Sequence, residues 1–345
     1  MRKLDRIATI RDVAALAGVS VGTASKALND RGTLRAETRQ RVREAAERLG
    51  FQANAAARTL NTGRTYTVGM ITTDSIGRFS IPLMLGAEDA LGAGQMSVLL
   101  CDARDDPIRE QYYLRTLLTR RVDGIIVTGR RAQARPPLGV GLPVPVVYAF
   151  VSSTDPADCS VVPDEAGGAA KALEHLLAIG RRRIVHVTGP EHHSSAQVRA
   201  SAVADALIRP TLWGEWSEAW GRQAGAMLLA EGARFDAVFA GSDQIARGVV
   251  DTLRAAGRRV PEDVAVIGFD NWDVMVTASQ PPLSSVDMDL EGLGSAAANL
   301  LLAAINGEPA TGRHVRPCRL VLRGSTAVRV GTEGVDGAVG QGRPA

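Results

Sequence analysis

Ser20, Val21, Gly22, Thr23, Ser25 and Lys26 form a run of small side chains around one cation at the start of a helically spaced segment. Ala24, Ala27 and Leu28 supply the buried stripe of that helix, which leaves Val21, Gly22, Ser25, Lys26 and Asn29 on its outer faces. No apolar stripe accounts for the small residues. They let the start of a helix approach a surface closely, as a helix must in a major groove, where lysine donates to guanine O6 and N7 and valine touches a thymine methyl. The plainer alternative is a small helical bundle with a solvated basic face.

The elements that would position this helix are legible on either side. Ile10, Val13, Ala14 and Ala17 mark a first helix of about two turns, opened by Thr9 and Asp12 as a capping box and stopped by Gly18. Ser20 is placed to cap the second helix, with Val19 and Ala24 as its hydrophobic staple. A third helix from Ala36 to Leu49 turns Val42, Ala45, Ala46 and Leu49 inward before Gly50. Charge agrees with this division. Residues 1–64 hold 13 Lys and Arg against 6 Asp and Glu, net +7, on a remainder of net −4. A basic module on a mildly acidic body predicts a polyanion contact confined to one end.

The run from Thr9 to Ala14, followed by Gly18 through Asn29, resembles the headpiece of the lactose-repressor (LacI/GalR) family, and the spacing to Glu37-Thr38-Arg39 and Gly50-Phe51 fits it. The resemblance implies a transcriptional regulator that binds double-stranded operator DNA as a homodimer. Thr9, Ser20, Val21, Gly22, Thr23, Ser25, Lys26 and Asn29 would then face the duplex, with Asn54, Ala57 and Leu60 of a following hinge. That hinge begins with Asn54 as its cap and is too short to be stable alone in water. By resemblance, Leu60 is a wedge that opens a minor-groove step.

After Arg64 the pattern changes to short apolar runs alternating with helical stretches: Tyr66 to Thr72, Ser97 to Cys101, Gly124 to Val127 and Val144 to Phe150, then Arg183 to Val187, Asp236 to Ala240 and Val264 to Phe269. Such alternation predicts parallel α/β sheets, and the matching ends Val127-Thr128-Gly129 and Val187-Thr188-Gly189 predict two similar lobes. The stretch to about Ala327 resembles the periplasmic-binding-protein-like sensor of the same family, through Ser242-Asp243-Gln244-Ile245-Ala246, Gly268-Phe269-Asp270-Asn271 and Pro281 to Val286, where the chain would cross back to the first lobe. The expected organisation is an all-α helix-turn-helix headpiece over 1–53, a hinge helix and linker over 54–65, a two-lobed α/β sensor over 66–330 and a disordered tail over 331–345.

By motif position the resemblance makes Arg199 and Asp270 the effector anchors, Trp216 and Phe79 stacking surfaces, and Asp74 and Asp243 polar neighbours. A guanidinium facing a carboxylate across a cleft would grip the hydroxyls of a small-molecule effector such as a carbohydrate through charge-assisted bonds. Phe150 stands where sugar-binding members carry Asp or Asn, and Ser242 replaces an Asn, both of which argue against a simple hexose; the Arg199–Trp216 segment is short relative to the family, so that either its register is unusual or the cleft has lost part of its ligand-binding frame.

Other classes fit less well. Gly92 to Gln95 precedes a strand instead of following one, the reverse of a dinucleotide fingerprint. No phosphate loop or nucleophile elbow occurs, and Glu191-His192-His193 has no third ligand placed by a motif, so neither an enzyme, a metal site nor a cofactor is expected. Cys101, Cys159 and Cys318 are scattered and odd in number, as buried thiols are. No apolar segment follows the charged N-terminus, so the chain is expected to remain in the cytoplasm without a membrane span. A solute-binding protein would need an export signal, and an architectural DNA protein would lack a ligand cleft.

Overall fold

The computed structural model describes residues 8–28, 32–51, 63–92 and 96–326. The expected contacts Asn29, Asn54, Ala57 and Leu60, the hinge helix, the glycine-rich Ala93–Gln95 and the tail lie outside the described residues. The chain divides into two compact units, 1–66 and 67–345.

In the first unit, α1 (Ile10–Ala17), α2 (Val21–Leu28) and α3 (Ala36–Arg48) enclose a core of Val13, Ala14, Ala17, Ala24, Ala27, Val42, Ala45 and Ala46. The Asp12 carboxylate accepts from the Thr9 N–H at 2.8 Å and from its hydroxyl at 2.7 Å, holding the start of α1. Gly18, at φ 64°, ends α1 in the left-handed conformation that glycine adopts without a Cβ penalty. Ser20 Oγ then accepts from the Thr23 N–H at 3.1 Å and starts α2. Arg41 Nε donates to the Ala17 carbonyl at 2.9 Å, putting a cation at the negative end of α1.

The second unit is built on two six-stranded sheets. The first contains β1 (Thr67–Thr72), β2 (Ser97–Asp102), β3 (Gly124–Val127), β5 (Val146–Ala149), β7 (Cys159–Pro163) and β13 (Gly312–Arg316), in the order β13-β7-β5-β3-β1-β2 and parallel throughout. The second contains β8 (Ile184–Thr188), β9 (Leu212–Trp213), β10 (Ala237–Ala240), β11 (Ala265–Phe269), β12 (Ser284–Asp287) and β14 (Arg319–Val321), in the order β14-β12-β11-β10-β8-β9, with β14 antiparallel. Short β4 (Ala134–Arg135) pairs with β6 (Ser152–Ser153). Around them lie α4 (Ser80–Gly92), α5 (Pro107–Thr119), α6 (Glu165–Ala178), α7 (Ser194–Ser201), α8 (Glu218–Ala230), α9 (Asp243–Ala255), α10 (Asp273–Ala278) and α11 (Leu290–Ile305).

Strands β7, β12, β13 and β14 carry no alternation that the sequence reading caught. Pro281 to Val286 is a corrected expectation: Ser284–Asp287 is a strand of the second sheet, and the crossing to α11 follows at Met288 and Asp289. Helix α11 then packs closely on α4, where a Cβ on Gly86 would lie 1.9 Å from the Glu291 carbonyl oxygen. Only glycine permits that approach. Cys159 and Cys318 are buried, whereas Cys101, on the edge strand β2, is only half-buried, packed against the core of the first sheet.

Candidate functional site

On α2, Gly22 and Lys26 are exposed one turn apart on a common face, and Val21 (43% exposed) lies one turn from Ser25. The Ser20 and Thr23 hydroxyls are hydrogen-bonded to each other at 2.9 Å, so both serve the start of the helix while lying at its outward end. Thr9 is committed to the Asp12 carboxylate in the same manner. The face therefore offers one long donor and several small side chains.

In the second unit the loops that follow β1, β3, β5, β8, β10 and β11 converge on a cavity of about 430 Å³ between the lobes. Ligands in open α/β sheets lie beyond the carboxyl ends of the strands, and this cavity is placed there. Backbone geometry singles out its walls. Phe150 at φ 71° and Asp270 at φ 105° adopt left-handed conformations that only a surrounding structure can impose on side-chain-bearing residues.

Arg199 is its best-anchored group. It sits in the last turn of α7, 4% exposed, with Nε and Nη2 donating to Glu165 Oε1 at 3.1 and 2.5 Å, Nη1 to the Gly241 carbonyl at 2.6 Å and Nη1 to Asp270 Oδ1 at 3.5 Å. Its guanidinium carbon lies 3.7 Å from the centre of the Phe269 ring. Burial opposes the charge, but Glu165 and then Asp270 outweigh that opposition and raise the Arg199 pKa. Beside it, His186 is fully buried in β8, stacked on Phe239, and bonded through Nδ1 to the Phe239 carbonyl at 2.8 Å. Burial, with Arg199 adding to it, pulls His186 down to about 4, although the hydrogen bond to Phe239 acts in the other direction.

The structure brings Arg199, Asp270, Trp216, Phe79 and Asp74 together around the cavity. Trp216 donates from Nε1 to His193 Nδ1 at 2.8 Å and lies against Gly189, where a Cβ would come within 2.2 Å of the indole. Phe79 stacks on Phe150 with ring centres 4.8 Å apart, so the side chain in place of a polar group extends an aromatic wall. The Asp74 carboxylate is spent locally, accepting from the Phe79 and Ser80 N–H groups at 2.7 and 2.9 Å to hold the start of α4.

Asp243 departs from its expected place: it is fully buried beneath the cavity and does not line it. Its oxygens accept from the Ser285 hydroxyl at 2.6 Å and the Trp272 N–H at 2.7 Å. Burial first, and then neighbouring Asp270, push its pKa well above the usual carboxylate range. Between Arg199 and Trp216, helix α7 is followed by one 3₁₀ turn, and β9 contributes two residues, paired in parallel with Val187 and Thr188.

Sequence reading missed Arg78, Gln244 and Trp272, which line the cavity, and Glu165, which anchors Arg199 from behind. Gln244 sat inside a motif already singled out. For Arg78 the available signal was a cation beside Phe79 in a strand-end loop.

Comparisons with known proteins agree with both halves. Residues 9–54 match the profile of bacterial regulatory proteins of the lacI family, and residues 173–326 match a periplasmic binding protein-like domain. The chain is 33% identical over 337 residues to the HTH-type transcriptional regulator CelR of Thermobifida fusca, covering 93% of this chain and 97% of that one. Among solved structures, a lac repressor dimer bound to operator and the anti-inducer ONPF superposes with TM-score 0.75 at 26% identity, over 94% of this chain and 100% of that one. A CelR–cellobiose complex superposes with TM-score 0.62 at 29% identity, over 92% and 99%. The chain belongs to the lacI family of bacterial regulatory proteins, and is a DNA-binding transcriptional regulator.

Proposed function

We propose that the protein is a homodimeric repressor that reads a near-palindromic operator with α2 and takes a small, polyhydroxylated effector into the cleft between the lobes of the second unit. The observation that carries the proposal is the pairing of an outward α2 face, small except for Lys26, with a cleft whose buried Arg199 is fixed by Glu165. Val21, Gly22, Thr23, Ser25 and Lys26 face the base edges; Thr9 and Ser20, at the starts of α1 and α2, lie against phosphate. Arg199 and Asp270 grip hydroxyls, and Trp216 offers a ring face to a sugar. A solved structure of CelR is a complex with cellobiose, and a glycoside of that kind is in keeping with a cleft whose first-lobe wall is aromatic.

The effector acts by preferring one relative orientation of the lobes, and it shifts operator affinity only by its differential affinity for the two states. Residues 1–53 form the headpiece and 66–330 the sensor in this reading. Its place of action is the cytoplasm, where the operator is; no helix among the described residues is long and apolar enough to cross a membrane.

Selection of bound duplexes from a random pool tests the DNA-reading half. The wild-type chain should return a two-fold symmetric motif. The Lys26→Ala variant should lose discrimination at one base position per half-site, at a cost of about 1–3 kcal/mol there. A variant profile identical to the wild type would remove Lys26 from base recognition.

A further inference from the structure

Arg78 enters the cleft from the loop after β1 in the first lobe, yet its partners belong to the second. Nη1 donates to Gln244 Oε1 at 2.9 Å, and Nη2 forms a short ion pair with Asp270 Oδ2. The guanidinium lies between two aromatic rings, 4.9 Å from the centre of Phe79 and 4.5 Å from that of Trp272. The pair is largely removed from water, with side-chain exposures of 13% for Arg78 and 6% for Asp270. Both cation–π attraction and ion pairing strengthen under such desolvation. Two ring faces, a carboxylate and an amide oxygen make a slot whose chemistry selects a planar cation with several N–H donors.

Both oxygens of Asp270 are thereby engaged. One accepts from Arg78 and the other from Arg199, so a hydroxyl that is to take the place Arg78 holds on this carboxylate must displace that guanidinium. Arg199 is held by Glu165 and the Gly241 carbonyl as well, and cannot leave without stranding them. Among the described residues Arg78 has no hydrogen-bonded anchor in its own lobe, where its guanidinium meets the Phe79 ring, and its Nε is buried without a hydrogen-bond partner. The removable partner is Arg78.

We propose that Arg78 is an internal ligand: it fills a guanidinium site between the lobes, ties them together through Asp270 and Gln244, and competes with the effector for Asp270. The inference rests on the reading of this cleft as the effector site and adds how that site is regulated. A latch of this kind lowers the apparent affinity of any ligand that uses Asp270 by the fraction of time the slot is occupied from within. It also makes the relative position of the lobes depend on one side chain.

The test uses the purified full chain with no sugar and no duplex added, and hydrogen exchange as the readout. Arg78→Ala should speed exchange roughly tenfold in residues 74–79 and in 270–272, segments from opposite lobes that open together. Methylguanidinium should restore protection in the variant with a saturable dose dependence, methylammonium should not, and the wild type should respond to neither. Wild-type exchange in both segments of the variant, or the same response to methylguanidinium in variant and wild type, would overturn the latch. Should Arg78→Ala fail to fold, Arg78→Gln carries the same comparison, since it keeps a polar side chain without charge or fork. Because no effector enters the experiment, a failed latch leaves the effector reading standing. A failed search for an effector would likewise leave this result intact.

Discussion

Replacing Arg199 by methionine is expected to cost the second unit roughly 3–5 kcal/mol of stability, the range for removing one partner from a buried ion pair. The side chain is 4% exposed, and the carboxylates it serves, Glu165 and Asp270, are 9% and 6% exposed. Methionine fills much of the volume but leaves Glu165 buried without its cation, and the Gly241 carbonyl loses a donor at 2.6 Å. Chemical denaturation of the wild type and the variant measures the difference. Adding Glu165→Gln to the variant should recover part of it, because the stranded charge is then gone. A single-variant loss below about 1 kcal/mol, the scale of an exposed pair, would show that Arg199 is not the anchor described.

The second large effect is a pH dependence. His186 is held at about 4 in the folded chain by burial, against 6.5 for the free side chain. Its Nε2 is buried without a partner among the described residues, and Arg199 lies close by, so a proton added there would meet neither an acceptor nor an anion. Below pH 6.5 the unfolded chain takes up a proton that the folded chain refuses, and stability therefore falls as the pH falls from 6.5 towards 4. Over that window the loss amounts to about 3 kcal/mol. His186→Gln retains a donor for the Phe239 carbonyl and does not titrate. The stability of the wild type relative to this variant should drop by that amount between pH 7 and 4, while carboxylates common to both cancel. A pH-independent difference would mean that His186 accepts its proton in the folded state.

Much of this molecule was legible because its signals are local. The headpiece declares itself through Val13, Ala14 and Ala17 on one stripe, Gly18 after them and Ser20 two residues on, all within a dozen residues. The central strands of both sheets are short apolar runs such as Gly124–Val127 and Ala237–Ala240, every residue buried. By contrast, β13 reads Gly-Arg-His-Val-Arg, mostly polar and exposed, and is a strand only because it pairs with β7 some 150 residues earlier. No period of two survives at such an edge.

The site divides the same way. Arg199 and Asp270 could be placed by motif, but Arg78 takes its role from Asp270, 192 residues away, and the sequence Gly77-Arg78-Phe79 has no periodicity to mark it. Asp243 lies in a conspicuous motif, yet the side chain turns beneath the cleft to Ser285 and the Trp272 N–H. A motif fixes where the backbone goes; which carboxylate meets the ligand depends on what packs below it.

Competition between a selected duplex and a scrambled duplex of equal length and composition, at physiological salt, tests most directly the claim that α2 reads base edges. Electrostatic attraction to phosphate is common to both duplexes, so only base readout and duplex shape separate them. The selected duplex should be preferred by at least roughly a thousandfold. Equal affinities would mean that the basic unit binds phosphate alone, and the account of a sequence-reading regulator would be contradicted.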